Sequence, residues 1–290
     1  MKISGFTFIR NAIKYDYPVV ESIQSVLPLC DEFIVAVGKS EDHTRDLINS
    51  IGSPVIRIID TEWDESLHKG GQVLAVETNK ALDAVSPEST WAIYIQGDEV
   101  IHEQYLDRLK NDMEKYGNDI KIEGLLLDWL HFYGSYDFVG NSRRWYRKEV
   151  RIIRNDKQIR SYKDAQGFRK HEKPLKVIPV DAFVYHYGWV KPPEYQQARL
   201  NYFHTLWHDE KWMKRNIASD DYFDYSKIDS LERFHGTHPA VMQQRIAKGN
   251  WQFSFDPSKK QLSPFKRLSH FIEKKTGWRP GEYKNYKIIQ

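Results

Sequence analysis

The sequence predicts an α/β fold with a mostly parallel, Rossmann-like central sheet, and three observations carry that prediction. Short apolar runs at 3–8, 33–37, 55–59 and 91–95 alternate with stretches of helical periodicity. Strands separated by helices favour parallel pairing through right-handed crossovers. A composition of 40% hydrophobic and 29% charged residues over 290 positions suits one folded domain with an appendage.

The run 3–8 reads as a buried strand. Pro18 then opens a helix whose apolar positions Val19, Ile23, Val26 and Leu27 recur at helical spacing. A second strand at 33–37 leads through a polar turn at 38–44 to a helix at 45–50 and a third strand at 55–59. The segment 70–85 is helical through Val73, Val76, Ala81 and Leu82, and 91–95 forms a central strand that stops at Gln96-Gly97-Asp98-Glu99. A helix at 102–116 and a strand at 124–130 follow, and beyond Asp137 the βα rhythm is lost. Lys191-Pro192-Pro193 marks a boundary between 1–190 and a helical C-terminal extension, 191–290, in which Ala198, Tyr202, Leu206 and Met213 form a stripe.

Charge and cysteine content exclude several classes. The 43 Lys and Arg are nearly balanced by 40 Asp and Glu, so a dedicated nucleic-acid binder is not expected. Cys30 is the sole cysteine, which rules out an intramolecular disulfide and a multi-cysteine zinc site and points to a reducing, cytoplasmic address. No run approaches the roughly 18 apolar residues of a spanning helix, and the N-terminal run meets Arg10 too early for a secretory leader. The basic stretch 259–287 reads as a surface or partner-binding element. Its amphipathicity is too weak in sequence to establish membrane binding, and peripheral association at the inner face of the cytoplasmic membrane stays open.

Ligands in such sheets sit beyond the carboxyl ends of the strands. Arg10-Asn11, the turn 40–44 and Gln96 to Glu99 should therefore converge. Asp98 and Glu99 serve equally well, by spacing alone, as ligands of a hard cation or as caps of the following helix. Asp42 is as readily a helix cap as a ligand contact. His204 and His208 share a helical face but lack the Glu of an HExxH pattern, and Trp129, Trp145, Trp189, Trp207 and Tyr133 are packing residues first.

Taken in order, Arg10-Asn11, Asp31-Glu32-Phe33-Ile34-Val35, Gly38-Lys39-Ser40-Glu41-Asp42-His43-Thr44 and Trp91 to Glu99 resemble family 2 glycosyltransferases. The likeness covers about the first third of the chain and is closest to the branch acting on lipopolysaccharide cores and other cell-surface glycans. It implies a GT-A fold in which about 1–100 binds the nucleotide and about 101–190 the acceptor. It also implies a nucleotide-sugar donor, a glycan or glycolipid acceptor, an inverting transfer and a divalent cation, Mn²⁺ or Mg²⁺.

Residue by residue, the resemblance assigns Asp98, Glu99 and the late histidine His186 to the metal. Arg10, Asn11, Asp42, Lys69, Gln96, Asp98 and Arg151 fall to the donor, and Asp164 to the general base, with Asp128 and Asp137 as alternatives. Two positions depart from the pattern: Gln96 replaces the usual first aspartate of the acidic turn, and Val37 replaces an aspartate before Gly38. A binding module that has lost turnover, or a nucleotidyltransferase, are the competing readings. The second lacks a glycine-rich, basic loop after the first strand.

Overall fold

The computed structural model describes every residue except 65, 68, 69, 209, 210, 213, 214, 216–220, 259, 260 and 290. Strand β1 (Ile3–Ile9) lies at the centre of a parallel group with β2 (Glu32–Gly38), β3 (Ile56–Thr61) and β4 (Trp91–Tyr94), in the order β3-β2-β1-β4. Helices α1 (Val19–Val26), α2 (Thr44–Asn49) and α3 (Gln72–Asp83) make the connections, so the Rossmann-like half is the one the alternation predicts.

Period-two alternation sends the two faces of each strand to different cores. Ile3, Ile9, Phe33, Val35, Trp91 and Ile93 pack on Val19, Ile23 and Val26 of α1. Phe6, Ile34, Ala36, Ala92 and Tyr94 pack on the opposite side with Ala81 and Leu82 of α3. The βα units are thus held because β1, β2 and β4 are apolar on both faces, as a sheet covered by helices requires, while the edge strand β3 carries Arg57 and Asp60.

Antiparallel pairings collect beyond β4. The short β5 (Glu99–Ile101) leads to α4 (Leu106–Tyr116), then β6 (Gly124–Tyr133), β7 (Ser135–Gly140), β8 (Lys148–Arg154), β9 (Ile159–Tyr162), β10 (Gly167–Lys170) and the 17-residue β11 (Lys173–Trp189). The sheet continues β4-β8-β6-β11-β10-β9, with β4–β8 and β8–β6 antiparallel and β6–β11 parallel.

Beyond Lys191 come α5 (Pro193–Thr205) and further short helices, and two strands return to the sheet: β12 (Leu231–Arg233) pairs with β7, and β13 (Tyr286–Ile288) with β11. Lys191, the expected boundary residue, is buried, its Nζ donating to the carbonyls of Tyr15 (2.7 Å) and Asp16 (3.2 Å) in the segment between β1 and α1. No helix among the described residues is long and apolar enough to cross a membrane.

One buried carboxyl gives the fold a pH signature. Burial pushes the Glu149 carboxyl from 4.5 up to about 7, although Gln166 Nε2 donates to it at 2.9 Å. Between those two values the folded state holds the extra proton, so this group's contribution to stability falls as pH rises and its cost is complete above about pH 7. Glu149→Gln is expected to melt with the parent at pH 4.5 and above it at pH 8. Equal melting temperatures across that range would show that the carboxyl is not buried as described.

Candidate functional site

The parallel register brings the carboxyl ends of β1 and β4 side by side, with Phe6 opposite Tyr94. The chain leaves β1 at Arg10 and β4 at Gln96, so both turns open on one edge. The acidic turn then runs directly into β5, which pairs antiparallel with β11 so that Glu99 faces His186. The Tyr187 amide donates to the Asp98 carbonyl at 2.8 Å. The antiparallel pairing of β5 with β11 thus brings a histidine far along the chain to the turn after β4.

These elements surround a cavity of about 210 Å³. Arg10, Gln96, Asp98 and Asp164, all singled out from the sequence, line it together with Trp63, Tyr146, Arg199 and Tyr202. Asp98 Oδ2 is 3.6 Å from His186 Nε2 and 3.3 Å from Arg199 Nη2, and the three side chains are nearly buried. Burial alone would raise the Asp98 carboxyl, but His186, Arg199 and Lys191 outweigh it and hold the group well below the usual carboxylate range. Asp98 is therefore an anion at any physiological pH.

Arg199 is fixed by more than the carboxylate. Its Nε donates to Tyr17 Oη at 3.1 Å and its Nη1 to the Gly188 carbonyl at 3.2 Å. Tyr202, one turn further along α5, stacks on Tyr15 at 5.0 Å, and Arg10 Nη1 donates to its hydroxyl. Helix α5 therefore roofs the cavity.

Glu99 and Arg151 sit beneath the cavity, not in it. Arg151 Nε and Nη2 bind the two Glu99 oxygens at 2.8 and 2.9 Å, and both side chains are essentially fully buried. The guanidinium also lies over Trp129 at 4.5 Å and Tyr94 at 5.1 Å. This bidentate pair commits Glu99 away from a metal and Arg151 away from a diphosphate, against both expectations. It instead positions the site, because Glu99 Oε2 accepts the Gln96 amide (3.1 Å) and Arg151 Nη1 donates to the Gln166 carbonyl (2.9 Å).

Asp164 stands on the loop so held. Gln96 Nε2 donates to the neighbouring Ala165 carbonyl at 3.2 Å, joining the acidic turn to this loop. Lys163 and Ala165 flank Asp164 at φ 53° and 61°, left-handed conformations that cost non-glycine residues energy and persist where surrounding structure enforces them. Burial raises the Asp164 carboxyl above its ordinary value. The alternatives lie elsewhere: Asp128 is paired with Lys148 at 2.6 Å, Asp137 bonds Ser135 at 3.3 Å, and neither lines the cavity.

Asn11 and Asp42 organise the neighbouring turns. Asn11 Oδ1 accepts the Glu41 amide at 2.8 Å, while Asp42, which precedes the N-cap residue His43 of α2, accepts the Thr44 amide (3.0 Å) and the Lys14 amide (2.7 Å). Lys69 lies outside the described residues. Sequence reasoning missed Arg199, which sits among polar and aromatic neighbours with no apolar spacing to mark it. It also missed His131, whose ring centroid is 5.1 Å from that of His186.

Asp98 and His186 are the two residues of this site that could hold a divalent cation between them. A separation of 3.6 Å lets Asp98 and His186 reach one ion through bonds of about 2.1 Å. Gly188 lets them meet against bare backbone, since a Cβ there would fall 2.5 Å from Asp98 Oδ2 and 2.8 Å from His186 Nε2. Among the described residues no group of three or more His, Cys, Asp or Glu side chains is arranged for a metal, so the remaining positions would fall to a ligand or water.

No protein-family profile matches the chain, and no curated protein is similar to it in sequence. Among solved structures, Staphylococcus aureus TarS is 16% identical over 70% of this chain and 39% of its own, with a TM-score of 0.42; the chain thus spans well under half of that protein. S. aureus TarS 1-349 in complex with UDP is 14% identical over 76% of this chain and 68% of its own, at 0.41. The Mycobacterium tuberculosis glucosyl-3-phosphoglycerate synthase in complex with Mn²⁺, UDP and phosphoglyceric acid is 18% identical over 45% of this chain and 43% of its own, at 0.30. These likenesses are distant.

Proposed function

We propose that the chain is a glycosyltransferase that transfers a sugar from a nucleoside-diphosphate sugar to a hydroxyl of a glycan or glycolipid, with inversion, as the resemblance to family 2 and its lipopolysaccharide branch implies. The observation that supports it is the cavity at the carboxyl ends of β1 and β4, where Asp98, Arg199 and Asp164 converge. A leaving diphosphate needs positive charge, an attacking hydroxyl needs a base, and the two must lie within one substrate's reach.

In this reading the acceptor oxygen attacks the anomeric carbon as the bond from that carbon to the diphosphate oxygen breaks. The acceptor proton passes to Asp164, whose raised pKa makes it a better base than an ordinary aspartate. Arg10 and Arg199 face the leaving group, and Gln96 holds the Asp164 loop against the turn. Asp98 and His186 would hold the Mn²⁺ or Mg²⁺, which when bound supplies further positive charge to the diphosphate.

A panel of UDP-, GDP-, ADP-, CMP- and dTDP-sugars, each with and without manganese, tests the reading through thermal stabilisation and nucleotide release. One donor should stabilise the protein and yield its nucleoside diphosphate. Binding without release would favour the degenerate module, and pyrophosphate from a triphosphate would favour the nucleotidyltransferase. With the donor known, Asp164→Asn should keep the stabilisation and lose roughly a hundredfold or more of transfer. An active variant would move the base elsewhere.

A further inference from the structure

The helix Pro264–Thr276 is attached to the protein by its polar face. Ser269, His270 and Arg279 are buried, and Glu273 pairs with Arg279 (2.7 Å) and Arg147 (3.6 Å). Arg147 also reaches Glu282 at 2.8 Å, and Arg279 Nη1 donates to the Trp145 carbonyl at 2.6 Å. This inverts the usual amphipathic arrangement, in which the apolar stripe faces the core.

The apolar stripe faces outward instead. Phe265, Leu268 and Phe271 recur every three residues and are 80%, 59% and 60% exposed, and Trp278, just past the end of the helix, is 63% exposed. Four large apolar side chains gathered on one exposed element mark an interaction surface, whereas scattered ones need no explanation. Lys266, Arg267, Lys274 and Lys275 lie on the same helix against the single acid Glu273, which is already paired.

A second observation adjoins the first. A cavity of about 530 Å³ opens beside the helix, lined by Arg143, Arg144, Lys227, Lys266 and His270 with Asp229 as its one acid. That acid is engaged by the Ser142 hydroxyl at 2.8 Å and the Ser230 amide at 2.9 Å. Among the described residues, the buried Arg143 Nη1 has no hydrogen-bond partner. Exposed phenylalanines and a tryptophan, cationic flanks and a basic hollow beside the same helix match the chemistry of a phospholipid surface with negative headgroups.

We propose that this face is a docking surface for an anionic phospholipid bilayer, with Phe265, Leu268, Phe271 and Trp278 entering the interface. The Arg143–Lys266 hollow receives a lipid phosphate. The test is co-sedimentation of the full chain with vesicles of phosphatidylcholine alone and of phosphatidylcholine mixed equally with phosphatidylglycerol. Binding is expected to the mixed vesicles, weakening with salt, with a blue shift in tryptophan fluorescence that Trp278→Ala diminishes.

Leu268→Glu/Phe271→Glu and Lys274→Glu/Lys275→Glu should each reduce partitioning by about tenfold or more. All four residues are exposed, so melting temperatures should match the parent. Three outcomes overturn the proposal: absence of binding to the mixed vesicles, equal binding to both vesicle types, or self-association in solution that the Leu268→Glu/Phe271→Glu pair abolishes. None of these readouts depends on identifying a sugar donor.

Discussion

Asp98→Asn is expected to lose roughly a thousandfold of turnover while remaining folded, because it removes the one carboxylate lining the cavity that is paired with Arg199. The substitution keeps the side-chain volume and the Tyr187 amide bond to the backbone, so the turn should hold its shape. It takes an anion from between Arg199 and His186 and leaves the buried Lys191, already pulled down to about 7 by burial and Arg199, in a more positive surrounding. A stability loss of about 3 kcal/mol should accompany the kinetic effect, as for other buried pairs stripped of one partner. Turnover is therefore compared below the lowered melting temperature, with nucleoside diphosphate release as the readout. Release within a few-fold of the parent would remove Asp98 from the chemistry.

Arg151→Met should give the largest loss of stability, about 3–5 kcal/mol, because it leaves the fully buried Glu99 carboxylate without a counter-charge. Buried pairs contribute little net stability against apolar replacements of similar size, so Glu99→Leu/Arg151→Met should recover much of the loss. Recovery of folding should not bring recovery of turnover. The double variant lacks both the acceptor for the Gln96 amide and the donor to the Gln166 carbonyl, and the Asp164 loop loses its support from below. Calorimetry and steady-state kinetics on the same samples separate the effects. If the double variant were both stable and fully active, the pair would be ordinary core filling.

The parallel half was legible in the sequence because β1, β2 and β4 are apolar on both faces and end abruptly in polar turns. The boundaries at β1, α1 and β4 needed only small adjustments for that reason. The convergence of Arg10, Gln96 and Asp98 could be anticipated from where strands end, whereas Asp164 was reached only through the family resemblance. What stayed hidden were the antiparallel strands β7, β9 and β10, which are short and carry charged and aromatic residues in place of a clean alternation. Helix α5 was signalled by the stripe through Ala198 and Tyr202, but its buried positions were not, since these are Gln196 and Arg199 and burial there is set by partners, not by hydrophobicity. Glu99 and Arg151 were recognised as chemically important, but spacing cannot distinguish a ligand from the buried support beneath one.

Asp98 and Arg199 are 101 residues apart, and this separation fixes when the site comes into being. At synthesis rates of roughly 5–20 residues per second, about 5–20 s pass between emergence of the carboxylate and of its guanidinium partner. Through that interval the parallel strands can already form while the Asp98 edge still faces water. The nascent protein therefore has a folded floor and no roof until α5 closes over it.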